Sequence, residues 1–223
     1  MTSIVCQNCG IGLGKTMLFC PSCGHNVAPS QEISKDEFAY EFFKLGLEKW
    51  KLGDLKSALV YYTQSVDILI TKNFLTVDDW DIIEDLGDIH RLLENYEDAI
   101  FYYKKSACNI KIAHIYYENL KDFDNSFKIY LNDTDNPSAA HCLAKMTWKG
   151  EGTEQNLIDA LKWMNIAISK QPNSIEFQRT INAFKIEMTT DEIQKANLRS
   201  AIWLKRREII KKNNLKPWLQ VGL

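Results

Sequence analysis

The sequence predicts an all-α protein, an antiparallel helical-hairpin repeat (α-solenoid), preceded by a small cysteine-rich module of short β-hairpins. Three observations carry this. In AHCLAKMTWKGEGTEQNLIDALKWMNIAI, Ala140, Leu143 and Ala144 share one face of a first helix. Ala160, Leu161, Met164, Ala167 and Ile168 then recur at helical spacing on a second. Gly150 and Gly152 break the run between them, supplying turn conformations that other residues resist. Second, small residues facing one another let two helices approach closely, and a hairpin of this kind cannot bury its apolar face alone, so it should recur; it does. Third, four cysteines fall within the first 25 residues, in two C-x-x-C pairs.

At 223 residues the chain has room for one sizeable domain and a small appendage. An apolar fraction of 45% and a charged fraction of 25% are ordinary globular values, and a net charge of −2 gives no global pull toward nucleic acid or membrane. The charge is unevenly spread: Arg199–Lys216 carries seven Lys or Arg against one Glu. No apolar run approaches the roughly 20 residues of a membrane span. The opening MTSIVCQNCG has neither the basic start nor the apolar stretch of a signal peptide. These features predict a cytoplasmic protein with reduced cysteines, in which paired spacing means metal rather than disulfide.

Residues 1–27 hold Cys6, Cys9, Cys20 and Cys23. A C-x-x-C turn places two sulfurs on one side of an ion, and zinc takes four thiolates tetrahedrally. Gly10 and Gly24, one after each pair, suit the positive φ in which such a turn ends. Met17–Phe19 is a short strand candidate. The piece is too small for a hydrophobic core, so a metal should supply its folding energy. A redox dithiol or an iron-loaded site is the alternative chemistry, and His25 could stand in as a ligand. The paired C-x-x-C-G knuckles, with Phe-Cys-Pro before the second pair, resemble the short bacterial zinc-ribbon family. Four thiolates close a zinc site, which makes it structural rather than catalytic.

Residues 28–35 have linker composition, and the repeats run over 36–213. In the first unit Gly46 precedes a Gly53-Asp54 turn, and Ala58, Tyr62, Ser65 and Val66 follow on the second helix. In the second, Ile83, Leu86 and Gly87 are followed by Ala99, Tyr103 and Ser106. Gly46 to Ala58 and Gly87 to Ala99 are equal separations, with an aromatic position between small ones. This resembles the tetratricopeptide repeat. A third unit pairs Ala113 with Ser126 at one residue more, with no glycine at its turn. The fourth, with its longer Gly-x-Gly turn and a following Ala-Leu-Lys-Trp, resembles the Sel-one-like variant. Ile175, Ile181, Phe184 and Met188 mark a packing helix, and Thr189 with Glu192 forms a capping box for a closing helix to about Lys212. Residues 214–223 form a tail broken at Pro217.

No catalytic constellation is present. His25, His90, His114 and His141 are scattered, and His90 falls where the repeat pattern holds an aromatic packing residue. Cys108 and Cys142 read as small buried hydrophobes. The protein is therefore expected not to be an enzyme.

The repeat resemblance implies that the first helix of each pair lines a concave surface that binds a protein or peptide partner. Counting from the small residues, the presented set is Tyr40, Phe43, Leu47 and Trp50, then Asp81, Glu84, Asp88 and Arg91. It continues with Ile110, His114 and Tyr117, and ends with Ser138, His141, Lys145 and Trp148. Such a surface offers aromatic anchors and an acidic patch to a basic or N-terminal segment. The competing expectation is that the aromatics pack between helices and the acids are merely solvated. An alternative function is a nucleic-acid-associated factor using the zinc ribbon, with Lys15, and the basic helix bearing Lys205, Arg206, Arg207, Lys211 and Lys212. Those cations also complement a helix C-terminus.

Overall fold

The computed structural model describes residues 4–6, 8–13, 20–25 and 34–213. Strand β1 (Ile4–Val5) pairs antiparallel with β2 (Gly12–Leu13), with Ile4 opposite Leu13. The strand expected over Met17–Phe19, Lys15, most of the linker and the tail from 214 lie outside the described residues.

Helical hairpins follow. The first is α1 (Lys35–Lys51) with α2 (Leu55–Leu69), and the second is α3 (Val77–Leu92) with α4 (Tyr96–Lys105). The third joins α5 (Asn109–His114), continued by a π-helical turn Ile115–Asn119, to α6 (Phe123–Asn132). The fourth is α7 (Pro137–Lys149) with α8 (Leu157–Lys170). Two closing helices, α9 (Ile175–Ile186) and α10 (Thr190–Lys212), both pack on α8. The chain divides into two compact units, residues 1–106 and 107–223.

The helix starts follow from side-chain capping. Ser34, Thr76 and Thr189 each accept from the N–H three residues on, and Glu37, Asp79 and Glu192 close the capping boxes. The turns have a shared plan as well. Gly53, Glu94 and Lys121 all adopt positive φ (78°, 62° and 55°), five residues ahead of Ala58, Ala99 and Ser126. An Asx residue follows each of them as N-cap: Asp54, Asn95 and Asp122.

The third hairpin therefore keeps the turn of the first two without a glycine. Its extra residue lies upstream, in the π turn, where the Leu120 N–H donates to the Ile115 carbonyl at 3.0 Å. The fourth hairpin turns through Gly150 and Gly152, at φ 77° and 70°. A Cβ on Gly152 would collide with the backbone carbonyl of Phe123.

Packing explains the small residues. Ala58, Tyr62, Ser65 and Val66 are buried, as are Ile83, Leu86, Gly87, Ala99 and Tyr103. A Cβ on Gly46 would lie 2.6 Å from the Tyr62 ring, and one on Gly87 equally close to Tyr103. The glycines thus make room for a ring. In the third hairpin Ala113 and Ser126 are both buried, and the Ser126 hydroxyl donates to the Ala113 carbonyl at 2.9 Å. The 107–223 core is centred on α7 and α8, with Leu143, Met146, Leu161 and Met164 fully buried.

Candidate functional site

The two C-x-x-C turns are built alike. Cys6 N–H donates to the Ile11 carbonyl and Cys20 N–H to that of His25, both at 2.9 Å. The Gly10 and Gly24 N–H groups return to the Cys6 and Cys20 carbonyls, and both glycines have positive φ (74° and 68°). All four sulfurs fall within 4.8 Å of one another, with Cys6 and Cys23 3.6 Å apart and Cys9 and Cys20 3.2 Å apart. Four sulfurs about 2.3 Å from one ion in a tetrahedron stand about 3.8 Å apart, so the donor set fits a single soft cation. The backbone N–H of His25 is the largest influence on the Cys23 thiol, bringing it down to about 6 against partial burial. That favours the thiolate at Cys23, the form in which cysteine ligates a metal. At Cys9 the Ile11 backbone pulls the same way but is outweighed by hydrogen bonds among the crowded thiols, which push it up to about 12.

In residues 1–106 the expected partner face is largely engaged internally. Phe43 and Trp50 meet the buried Tyr62 ring edge-on, with centroids 5.6 and 5.8 Å away. The Tyr40 hydroxyl donates to Asp79 Oδ1 at 3.1 Å. Leu47 and Glu84 are half-buried and Asp81 is exposed. Asp88 accepts from the Tyr103 hydroxyl at 2.7 Å and has the Arg91 Nε 3.7 Å away. These side chains serve the hairpins first.

Asp79 is a residue the register did not single out. It is fully buried, and it accepts from the Thr76 N–H at 2.8 Å and from Lys72 at 3.1 Å. Burial alone would raise its pKa. The Thr76 N–H, Lys72 and the hydroxyls of Thr76 and Tyr40 outweigh that and hold it below the usual carboxylate range. The Thr76-x-x-Asp79 capping box was its sequence signal. His90, expected as a packing residue, stacks on Tyr102 with centroids 5.2 Å apart.

In residues 107–223 the expected face separates into two groups. His141 and Trp148 do not present themselves to a partner, because α9 covers them. His141 is buried, tilted over Phe177 at 4.7 Å, with Nε2 3.1 Å from the Thr180 hydroxyl. Trp148 stacks on Phe184 at 4.0 Å with planes 5° apart. The two share a face of α7, but the sequence does not announce which helix that face meets. Ser138 is exposed and Ile110 packs at the edge of the core.

His114, Tyr117 and Lys145 instead converge. With Glu118, Tyr130, Cys142 and Met146 they line a pocket of about 70 Å³, to which the π turn contributes Tyr117 and Glu118 and the residue before it His114. The Tyr117 hydroxyl donates to Glu151 at 2.6 Å and accepts from Lys149 at 3.2 Å, which fixes its ring at the rim. The His114 ring meets the buried Tyr130 edge-on. Cys142 Sγ is 3.9 Å from His114 Nε2. Burial pushes that thiol up, with only Tyr130 and Lys145 pulling the other way, so it is held protonated. An activated nucleophile needs the opposite shift.

Comparison with known proteins agrees with this architecture. Residues 82–107 match the tetratricopeptide repeat family. The chain is a helical-repeat protein. One similar solved structure is a protective antigen of uropathogenic Escherichia coli strains displaying an SLR fold (17% identity, TM-score 0.51, 83% of this chain and 50% of that one). The chain thus spans half the length of that relative. Another is MamA, residue 41 to its end, from Desulfovibrio magneticus RS-1 (14% identity, TM-score 0.50, 78% of this chain and 98% of that one). At such identities these likenesses speak to fold alone. A sequence search of curated proteins finds no match. Among the described residues no helix is long and apolar enough to cross a membrane.

Proposed function

We propose that this chain is a non-catalytic adaptor or scaffold of the cytoplasm, in which a structural zinc ribbon over residues 1–27 precedes a repeat domain over 36–213. The partner is a protein or peptide, engaged through the first-helix face of the repeats. What carries the reading is the pocket where His114, Tyr117 and Lys145, named by repeat register alone, come together beside the π turn. A π turn interrupts good helix geometry and recurs at functional places. An aromatic rim beside charged groups suits an anchoring side chain of a partner. Zinc would be held by Cys6, Cys9, Cys20 and Cys23; when bound, it supplies the folding energy that so small a module lacks. The nucleic-acid alternative is the poorer reading: two of the five helix cations expected to carry it, Arg207 and Lys211, are occupied by Asp135, at 2.8 and 3.4 Å, which leaves three for a phosphate backbone.

The test is affinity capture comparing wild type, Cys20→Ser and a double reversal of the exposed Glu118 and Lys145 (E118K, K145E). A partner held by wild type and Cys20→Ser but lost by the reversal supports the pocket. Retention by the reversal and loss in Cys20→Ser moves recognition to the ribbon. Elemental analysis of the purified protein should find zinc in wild type and its loss in Cys20→Ser.

A further inference from the structure

The closing helix α10 is apolar on two opposite sides. Its inner side, Ala196, Ser200 and Trp203, packs on α8: Trp203 meets Trp163 edge-on at 6.0 Å, and Ser200 accepts from Asn165 at 3.3 Å. At 3.6 residues per turn, Leu198, Ile202 and Ile209 fall on the far side, at i, i+4 and i+11. They are 62%, 49% and 47% exposed. An aligned, exposed stripe of three branched residues has the spacing of a helix-packing seam.

The charges beside the stripe indicate what covers it. Lys205, Arg206 and Lys212 are exposed on the same side, and no ion pair engages them among the described residues. The neighbouring cations are spoken for: Arg199 pairs with Asp159 at 2.9 Å, Lys195 with Asp191, and Arg207 and Lys211 with Asp135. The stripe is therefore apolar along its centre with net positive charge on its flanks, where Lys205, Arg206 and Lys212 outnumber the one exposed acid among them, Glu208. A second copy of this helix would set cation against cation. A phosphate backbone would answer the charge but leave the isoleucines in water.

We propose that the outer face of α10 is a docking site for an acidic amphipathic helix of a partner protein. Apolar residues of that helix at i, i+3 or i+4 and i+7 would pack on Leu198, Ile202 and Ile209, and its flanking Glu or Asp would meet Lys205, Arg206 and Lys212. This surface is distinct from the His114 pocket and would let one chain hold two partners.

The probe is a synthetic helical peptide with a leucine seam flanked by glutamates, titrated into the full chain by fluorescence anisotropy. The controls are the same seam flanked by lysines and a scrambled glutamate peptide. Wild type should bind the glutamate peptide in a salt-sensitive manner and prefer it to the other two by about tenfold or more. Ile202→Asp should abolish binding. The reversal K205E, R206E, K212E should exchange the preference, favouring the lysine peptide. All these positions are exposed, so circular dichroism should show unchanged helix content. Equal affinity for the scrambled peptide, or no binding, would overturn the proposal. So would self-association that Ile202→Asp abolishes in sedimentation, which would assign the stripe to a second copy. Binding to anionic phosphatidylserine vesicles in place of the peptide would assign it to a lipid surface instead.

Discussion

Gly87 and Tyr103 are a fitted pair: a Cβ on the glycine would lie 2.6 Å from Cε1 of a ring that is itself fully buried. The ring cannot retreat cheaply, because its hydroxyl is tied to Asp88 at 2.7 Å. Gly87→Ala gains about 1 kcal/mol of helix propensity but overpacks the hairpin at about 1–3 kcal/mol. The expected outcome is a net loss, seen as a lower urea midpoint with an unchanged slope. Gly87→Ala combined with Tyr103→Leu should recover part of it. An alanine variant more stable than wild type would contradict the pairing.

Lys121 and Glu94 hold turn positions that the first hairpin gives to Gly53, at φ 55° and 62°. A side chain in that left-handed region costs about 1–2 kcal/mol, and glycine removes the cost while loosening the unfolded chain. Lys121→Gly and Glu94→Gly should each raise the melting temperature by a small amount. Lys121→Val, branched at Cβ, should lower it. Differential scanning calorimetry checks all three.

Much of this was legible in the sequence because hairpin packing is local. The Gly46–Ala58 and Gly87–Ala99 spacings, the Gly150 and Gly152 turn and the Thr189–Glu192 box each follow from residues close in the chain. So did the four-cysteine cluster, since two knuckles of one design leave four sulfurs little choice. What escaped was long-range. Nothing in α7 says that Phe177 and Phe184 will lie over His141 and Trp148. Likewise, Asp79 looks like any helix-start acid until Tyr40 arrives from α1 and Lys72 from the turn before α3. The π turn hid in plain arithmetic: the one-residue excess between Ala113 and Ser126 was visible, but not that it is absorbed before Lys121 and not after.

His90 and His141 are 8% and 5% exposed, and burial is the main reason both are held below the ordinary value of 6.5. Asp98 and Glu176 pull the other way but do not prevail. Folded protein keeps them neutral, whereas unfolded chain takes up protons below about 6.5. Their contribution is therefore present above that pH and is lost as pH falls toward the folded values. Urea midpoints should decline from pH 7.5 to 5.5, above the range in which the depressed carboxylates Asp79 and Asp135 titrate. His141→Gln should flatten the decline. A variant with the slope of wild type would mean that His141 does not carry it.

The π turn can be removed without touching the pocket's own side chains. Deleting the exposed Asn119 gives Ala113 and Ser126 the separation found in the first two hairpins, so Lys121 and α6 keep their relation and the helix can close normally. The Ser126–Ala113 hydrogen bond and the buried Tyr130 should hold the hairpin together. Circular dichroism and the melting transition should therefore change little. Tyr117, however, would turn relative to Glu151 and Lys149, which now fix its hydroxyl at 2.6 and 3.2 Å. The deletion should then lose the partner that E118K, K145E also loses. If it instead unfolds the chain, the π turn is a packing necessity. If it folds and still captures the partner, the pocket's shape is not what that partner reads.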